Sequence, residues 1–169
     1  MYLGVCIDSK LNFTCHVSKI LQRVYYIIST LSFIVPYFKL EVRMQVFNTY
    51  ILPHIIYAVP VWYHYLLVKD KERLRSSLRH CAKIFSLDFN TLIDQVNTAA
   101  IQDFKRLSQK IHRDDKHPLH YELKSFLQQT SYNLRNKTII PKFRTICFKN
   151  SFVYRAAIFI QGVLPRNLR

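Results

Sequence analysis

A mainly α fold is predicted, with a short strand and turn at the start of the chain and a small extended segment near its end. Three observations carry this reading. Apolar residues recur at three- and four-residue spacing through most of the sequence. Prolines fall at the breaks in that pattern. Half of the 169 residues are apolar, enough for one cored domain or a core with a small appendage.

The elements follow in order. Tyr2-Leu3-Gly4-Val5-Cys6-Ile7-Asp8 alternates in part and carries β-branched Val5 and Ile7, so it reads as a short strand with a turn behind it. Val17, Ile20, Leu21, Val24, Ile27, Ile28, Leu31 and Val35 then mark an amphipathic helix of about 20 residues, with Thr14 as N-cap and Pro36 as its stop. A second helix starts near Leu40, with Leu40, Met44, Phe47 and Ile51 on one face, until Pro53 breaks or kinks it. Residues 55–62 continue that buried layer, and the two helices are expected to form one core. From Asp70 to Phe85, Leu74, Leu78, Ala82 and Phe85 make a narrow apolar stripe while Lys71, Arg73, Arg75, Arg79 and Lys83 fill the rest, giving a basic helix. Residues 91–111 read as two helices with a bend near Asn97. Pro118 opens a short helix over 119–127. Residues 139–145 are extended, with Pro141 denying them a central place in a sheet. A last helix over 152–160 ends before Gly162 and Pro165.

Charge narrows the partners. Twenty-five Lys and Arg against ten Asp and Glu give +15, the sign that attracts phosphate or anionic lipid. The last carboxylate is Glu122, and the 47 residues after it carry nine Lys or Arg. Gly4 and Gly162 are the only glycines, which excludes phosphate-cradling loops of the Rossmann or P-loop type. Cys6, Cys15, Cys81 and Cys147 are scattered behind a start with no signal-peptide pattern, so buried, reduced thiols and a cytoplasmic or nuclear setting, not secretion, are expected.

Residues 46–68 contain no Asp, Glu, Lys or Arg, a length that could cross a membrane. Asn48, Thr49, His54 and His64 lie within them, however, and Pro53 and Pro60 interrupt them, which fits a packed pair of short helices better. Asp114-Asp115 is the only acidic doublet. Its charged flanks in Ile-His-Arg-Asp-Asp-Lys-His suit a solvated helix end and not a two-metal site. Cys15-His16 and His117-Pro118-Leu119-His120 lack paired zinc-ligand spacing, and His117 and His120 are read as bordering the helix that follows. No metal site and no catalytic residue is assigned.

Two groups of cations lie where acids are scarce: Arg73, Arg75, Arg79 and Lys83 on the basic helix, and Arg135, Lys142, Arg144, Lys149 and Arg155 near the end. These are the candidate nucleic-acid-binding residues, because their fields add instead of cancelling. Tyr132, Phe143, Phe148, Phe152 and Tyr154 alternate with the second group. As stacking surfaces they would complement phosphate neutralisation, and as core residues they would leave the cations an ordinary surface. Composition leaves both open.

Three stretches resemble one family. Residues 2–8 with Leu11, Phe13 and His16 resemble the segment that closes the palm of non-LTR retrotransposon reverse transcriptases. Residues 50–58 followed by Val61-Trp62 resemble the family's helical thumb. Tyr132-Asn133-Leu134-Arg135-Asn136, Pro141, Arg144-Thr145, Ser151-Phe152 and Tyr154-Arg155-Ala156-Ala157 up to Leu164-Pro165 resemble the terminal segment of jockey-like elements. Ile160-Gln161 stands where that family usually has Trp-Asn.

The resemblance implies a palm remnant over 1–13, a helical thumb-like domain over 14–127 and a basic terminal segment over 128–169. It implies that Tyr2, Leu3 and Gly4 position the primer end. The catalytic Asp-Asp doublet would lie upstream of Met1, and the Mg²⁺ it holds would belong to that palm. The chain is therefore expected to bind template-primer without being an enzyme by itself and without a cofactor of its own. The alternative is a basic helical interaction module, or a membrane-associated protein using residues 46–68, with no nucleic-acid role.

Overall fold

The computed structural model describes residues 2–127 and 145–160, and they are mainly helical. The N-terminal strand does not form. Tyr2 and Val5 instead make a single antiparallel bridge, with N–H to carbonyl distances of 2.9 and 2.8 Å in the two directions. Leu3 and Gly4 between them both take positive φ, so the segment is a tight turn of the primed kind. A lone strand leaves its ladder groups unpaired, and no second strand is present among the described residues to satisfy them.

α1 spans Thr14–Leu31. Thr14 is its first residue and not its cap. Asp8 organises the entry, its Oδ1 accepting the backbone N–H groups of Asn12 at 2.7 Å and Phe13 at 3.3 Å. α1 also stops short of expectation, and Val35 reaches the core from a separate 3₁₀ turn, Val35–Tyr37.

Next come α2, Leu40–Val46, a π turn over Phe47–Ile51, and α3, Leu52–Ile56. The wider turn has a physical cause. Pro53 has no N–H to give, so the chain shifts register, and the Leu52 N–H reaches back to the Phe47 carbonyl before Pro53 takes its place in the first turn of α3. Phe47 and Ile51 are fully buried as their spacing predicts. Leu40 is exposed, because it stands at the first residue of α2.

α4, Val59–Trp62, brings in Trp62, whose indole N–H donates to the Tyr57 carbonyl at 2.9 Å, so the ring is buried without an orphan donor. α5 runs Val68–Phe85. It ends with Ser86 at φ 51 and the Leu87 N–H on the Ala82 carbonyl at 3.0 Å, a Schellman closure made without glycine. Arg43 braces the same end by donating to the carbonyls of Phe38, Pro36 and Phe85.

α6 is a single helix, Phe89–Arg113, where two with a bend were expected. Asn97 lies exposed within it. An exposed Asn costs an established helix at most about 0.7 kcal/mol, too little to break one packed on both sides of that position. Asp88 starts α6 by accepting the Thr91 N–H at 2.9 Å and its hydroxyl at 3.1 Å, and these bonds hold its carboxyl below the usual carboxylate range.

The chain divides into two compact units within α6, at residues 101 and 102. The first has its core around Val17, Val24, Phe47, Trp62, Leu78, Phe85 and Leu92. The second gathers Ile111 of α6 and Leu123 of α7, His120–Leu127, with Ala156 and Ala157 of α9, Phe152–Ile160. Between them in sequence, α8, Ile146–Asn150, was not anticipated; Thr145, extended as expected, caps it by accepting the Phe148 N–H. The remainder of the expected extended stretch, and Gly162 and Pro165, lie outside the described residues.

Candidate nucleic-acid interface

The apolar stripe of α5 decides which of its cations face solvent. Leu74, Leu78, Ala82 and Phe85 are buried as predicted, with Ser77 and Cys81 beside them. With those positions inward, Lys71, Arg75, Arg79 and Lys83 form one i, i+4 row along a flank of the helix. Successive members rise about 6 Å, and the row is roughly 18 Å long. Two nucleotides advance about 6.8 Å along a duplex axis. The spacing of the row is thus of the same order as the interval between phosphates of one strand.

Three of its members are held in place. Lys71 Nζ lies 5.4 Å from the Tyr63 ring centroid, and Arg79 lies 5.4 Å from that of Phe89. Arg75 pairs with Glu72 at 3.4 Å. Both partners of that pair are about half exposed, so it is worth at most about 1 kcal/mol. Lys83 is exposed.

Arg73 does not join the row. It faces α1: its guanidinium donates to Asp70 of its own helix at 3.0 Å and to Ser18 Oγ of α1 at 3.1 Å. Lys71 takes the place that sequence grouping gave to Arg73. Thr14 meets Asp70, Ser18 meets Arg73 and the Tyr25 ring meets His80 at 5.8 Å, pairs that climb both helices together. α1 and α5 therefore run parallel.

Of the second group, Lys149 is exposed on α8 and Arg155 is half-buried on α9. Burial lowers the Arg155 guanidinium from its ordinary pKa, and Nε has no hydrogen-bond partner among the described residues. Arg135, Lys142 and Arg144 lie outside the described residues. The aromatics beside this group resolve towards the core reading: Tyr154 is buried with Phe148 tilted on it at 5.4 Å, and Phe152 packs edge-on to Phe104 at 5.4 Å. Tyr132 and Phe143 also lie outside the described residues.

Tyr2 and Leu3 stand 69% and 75% exposed, and the Tyr57 hydroxyl donates to the Leu3 carbonyl at 2.7 Å. A side chain on Gly4 would meet the Tyr57 ring at 3.4 Å in a backbone region L-residues avoid. The turn is thus presented on a built support.

Asp114 and Asp115 follow the end of α6 in solvent, as their flanks imply. His117 Nδ1 accepts the Leu119 N–H, and His120 Nδ1 lies 2.9 Å from the Ile111 carbonyl, so both border α7. Among the described residues no three of His, Cys, Asp and Glu gather as metal ligands, and no helix is long and apolar enough to cross a membrane. All four cysteines are free; Cys6 and Cys81 are buried, whereas Cys15 and Cys147 are exposed, contrary to the expectation of burial. Comparison with known proteins finds no matching family model, curated protein or solved structure.

Proposed function

We propose that this chain is the carboxy-terminal, thumb-containing part of a non-LTR retrotransposon reverse transcriptase, and that it grips template-primer through the nucleic-acid backbone. The observation that carries the reading is the row of Lys71, Arg75, Arg79 and Lys83, four cations at near-phosphate spacing on a well-anchored helix. Its helical build and its +15 charge support the same reading. The part played in polymerisation is grip and not chemistry, since the sole acidic doublet stands in solvent past a helix end. Backbone contacts carry no base information, so the binding is independent of sequence.

The test is salt-dependent binding of a blunt primer-template duplex. Four neutralised phosphates give log K against log salt a slope of roughly −3.6. A double variant Arg75→Ala with Arg79→Ala loses about half of that slope, while Lys10→Ala with Lys39→Ala, two exposed lysines outside the row, leaves most of it. Equal losses in the two doubles rule the row out as the binding surface.

A further inference from the structure

The exposed side of α5 has a second flank, turned towards α1. Between the two parallel helices lies an open groove of about 490 Å³, within the range of small-ligand sites. Its exposed lining is mostly carbon, from Leu21, Tyr25 and the stems of the longer side chains, with polar groups set into it. Tyr25 offers a ring, Gln22 an amide that both donates and accepts, Ser18 and Ser76 hydroxyls, and Lys69 and Arg73 positive charge. Tyr25 is 43% exposed, and its ring is steadied by the edge contact to His80. At the other end, Asp70 holds Thr14 and Arg73 and fixes the spacing of the walls.

These features suit one flat heteroaromatic ring on a phosphate-bearing chain. We infer that the groove seats a single unpaired nucleobase, stacked on Tyr25 with its edge towards Gln22 and its phosphate towards Lys69. The inference rests on the proposed backbone grip, since the phosphate row on the opposite flank of α5 delivers the strand to the groove. Charge complementarity favours a nucleic acid as occupant. The chain carries +15, and Lys69 and Arg73 outnumber the one carboxylate in the groove lining, Glu72. Stacking tolerates every base, so the seat reads the presence of an unpaired nucleotide and not its identity.

The experiment compares three substrates: a blunt duplex, a duplex with a short single-stranded overhang, and the same overhang duplex with abasic sites, the last two being equal in length and charge. The full chain is expected to bind the base-bearing overhang at least about fivefold more tightly than the abasic one, the lower bound for a stacked base. Tyr25→Ala abolishes that preference and Tyr25→Phe keeps it, while blunt-duplex affinity and its salt slope stay the same in both. Circular dichroism confirms that the exposed position is substituted without unfolding. Equal binding of base-bearing and abasic overhangs by the parent overturns the groove and leaves the row standing. A base preference that survives Tyr25→Ala overturns the groove as its location. Absence of salt-dependent binding to all three substrates overturns the backbone grip itself, and the groove inference with it.

Discussion

The Thr14 hydroxyl donates to Asp70 Oδ2 at 2.7 Å, joining the first residue of α1 to the first turn of α5 across 56 positions of sequence. Asp70 is 1% exposed, and its other oxygen accepts from Arg73 at 3.0 Å. A buried carboxylate is tolerable only when its lone pairs are met, and here both oxygens are. Asp70→Ala leaves Thr14 without its acceptor and Arg73 without its counter-ion, so it is expected to cost about 2–4 kcal/mol. Thr14→Val removes one bond and leaves Asp70 with Arg73, at about 1 kcal/mol. Urea midpoints at constant slope check both, and a larger loss in Thr14→Val than in Asp70→Ala is the result that rejects this ranking.

His16 makes stability depend on pH. The ring is buried edge-on to Trp62 at 5.3 Å, its Nδ1 faces the Cys6 N–H at 3.5 Å, and its Nε2 has no partner among the described residues. Burial, with Lys19 and Arg23 acting in the same direction, lowers its pKa from the ordinary 6.5. The unfolded chain therefore takes the proton more readily than the folded one. Stability is intact above pH 6.5 and declines as pH falls below it towards the folded value. Urea midpoints between pH 8 and 5 should show this decline in the parent, and His16→Asn should flatten it.

The thiols divide by access and by charge. Burial pushes Cys81 up to about 12, which keeps it protonated and unreactive, whereas Cys15 and Cys147 are exposed. Iodoacetamide at pH 8 should modify Cys15 and Cys147 first and Cys81 only on unfolding, as read by peptide mass spectrometry. Early modification of Cys81 in folded protein contradicts its place in the core.

What the sequence made legible is what depends on neighbours along the chain. The inward stripe of α5 follows from spacing alone, because side chains three and four apart share a helix face. The misread features depend on residues far apart in sequence. Thr14 looks like a cap until Asp70 is beside it, and Arg73 looks like a surface cation until Asp70 and Ser18 hold it. Asn97 looks like a bend until Val96 and Ala100 pack on one core. The value of Lys71 shows in the i, i+4 pattern, yet grouping by sequence proximity placed it behind Arg73.

That exchange of roles yields the sharpest test of the candidate interface. Arg73 and Arg79 are both arginines of α5, and by sequence they are equivalent. By contact they are opposites: Arg73 pairs with buried Asp70 and Ser18, while Arg79 projects over the Phe89 ring. Arg73→Ala is expected to lower stability by about 1–3 kcal/mol, because it strips a buried carboxylate of its counter-ion, and to leave the salt slope of duplex binding nearly intact. Arg79→Ala removes a solvent-facing charge anchored by a ring contact worth about 0.5–1 kcal/mol, so stability changes little. The same change lowers the magnitude of the slope by about one, the share of a single phosphate contact. Unfolding and binding measured on both variants separate the two effects. If Arg73→Ala loses the slope while Arg79→Ala keeps it, the binding surface lies on the α1 side of the helix, and the row of Lys71, Arg75, Arg79 and Lys83 is surface charge without a partner.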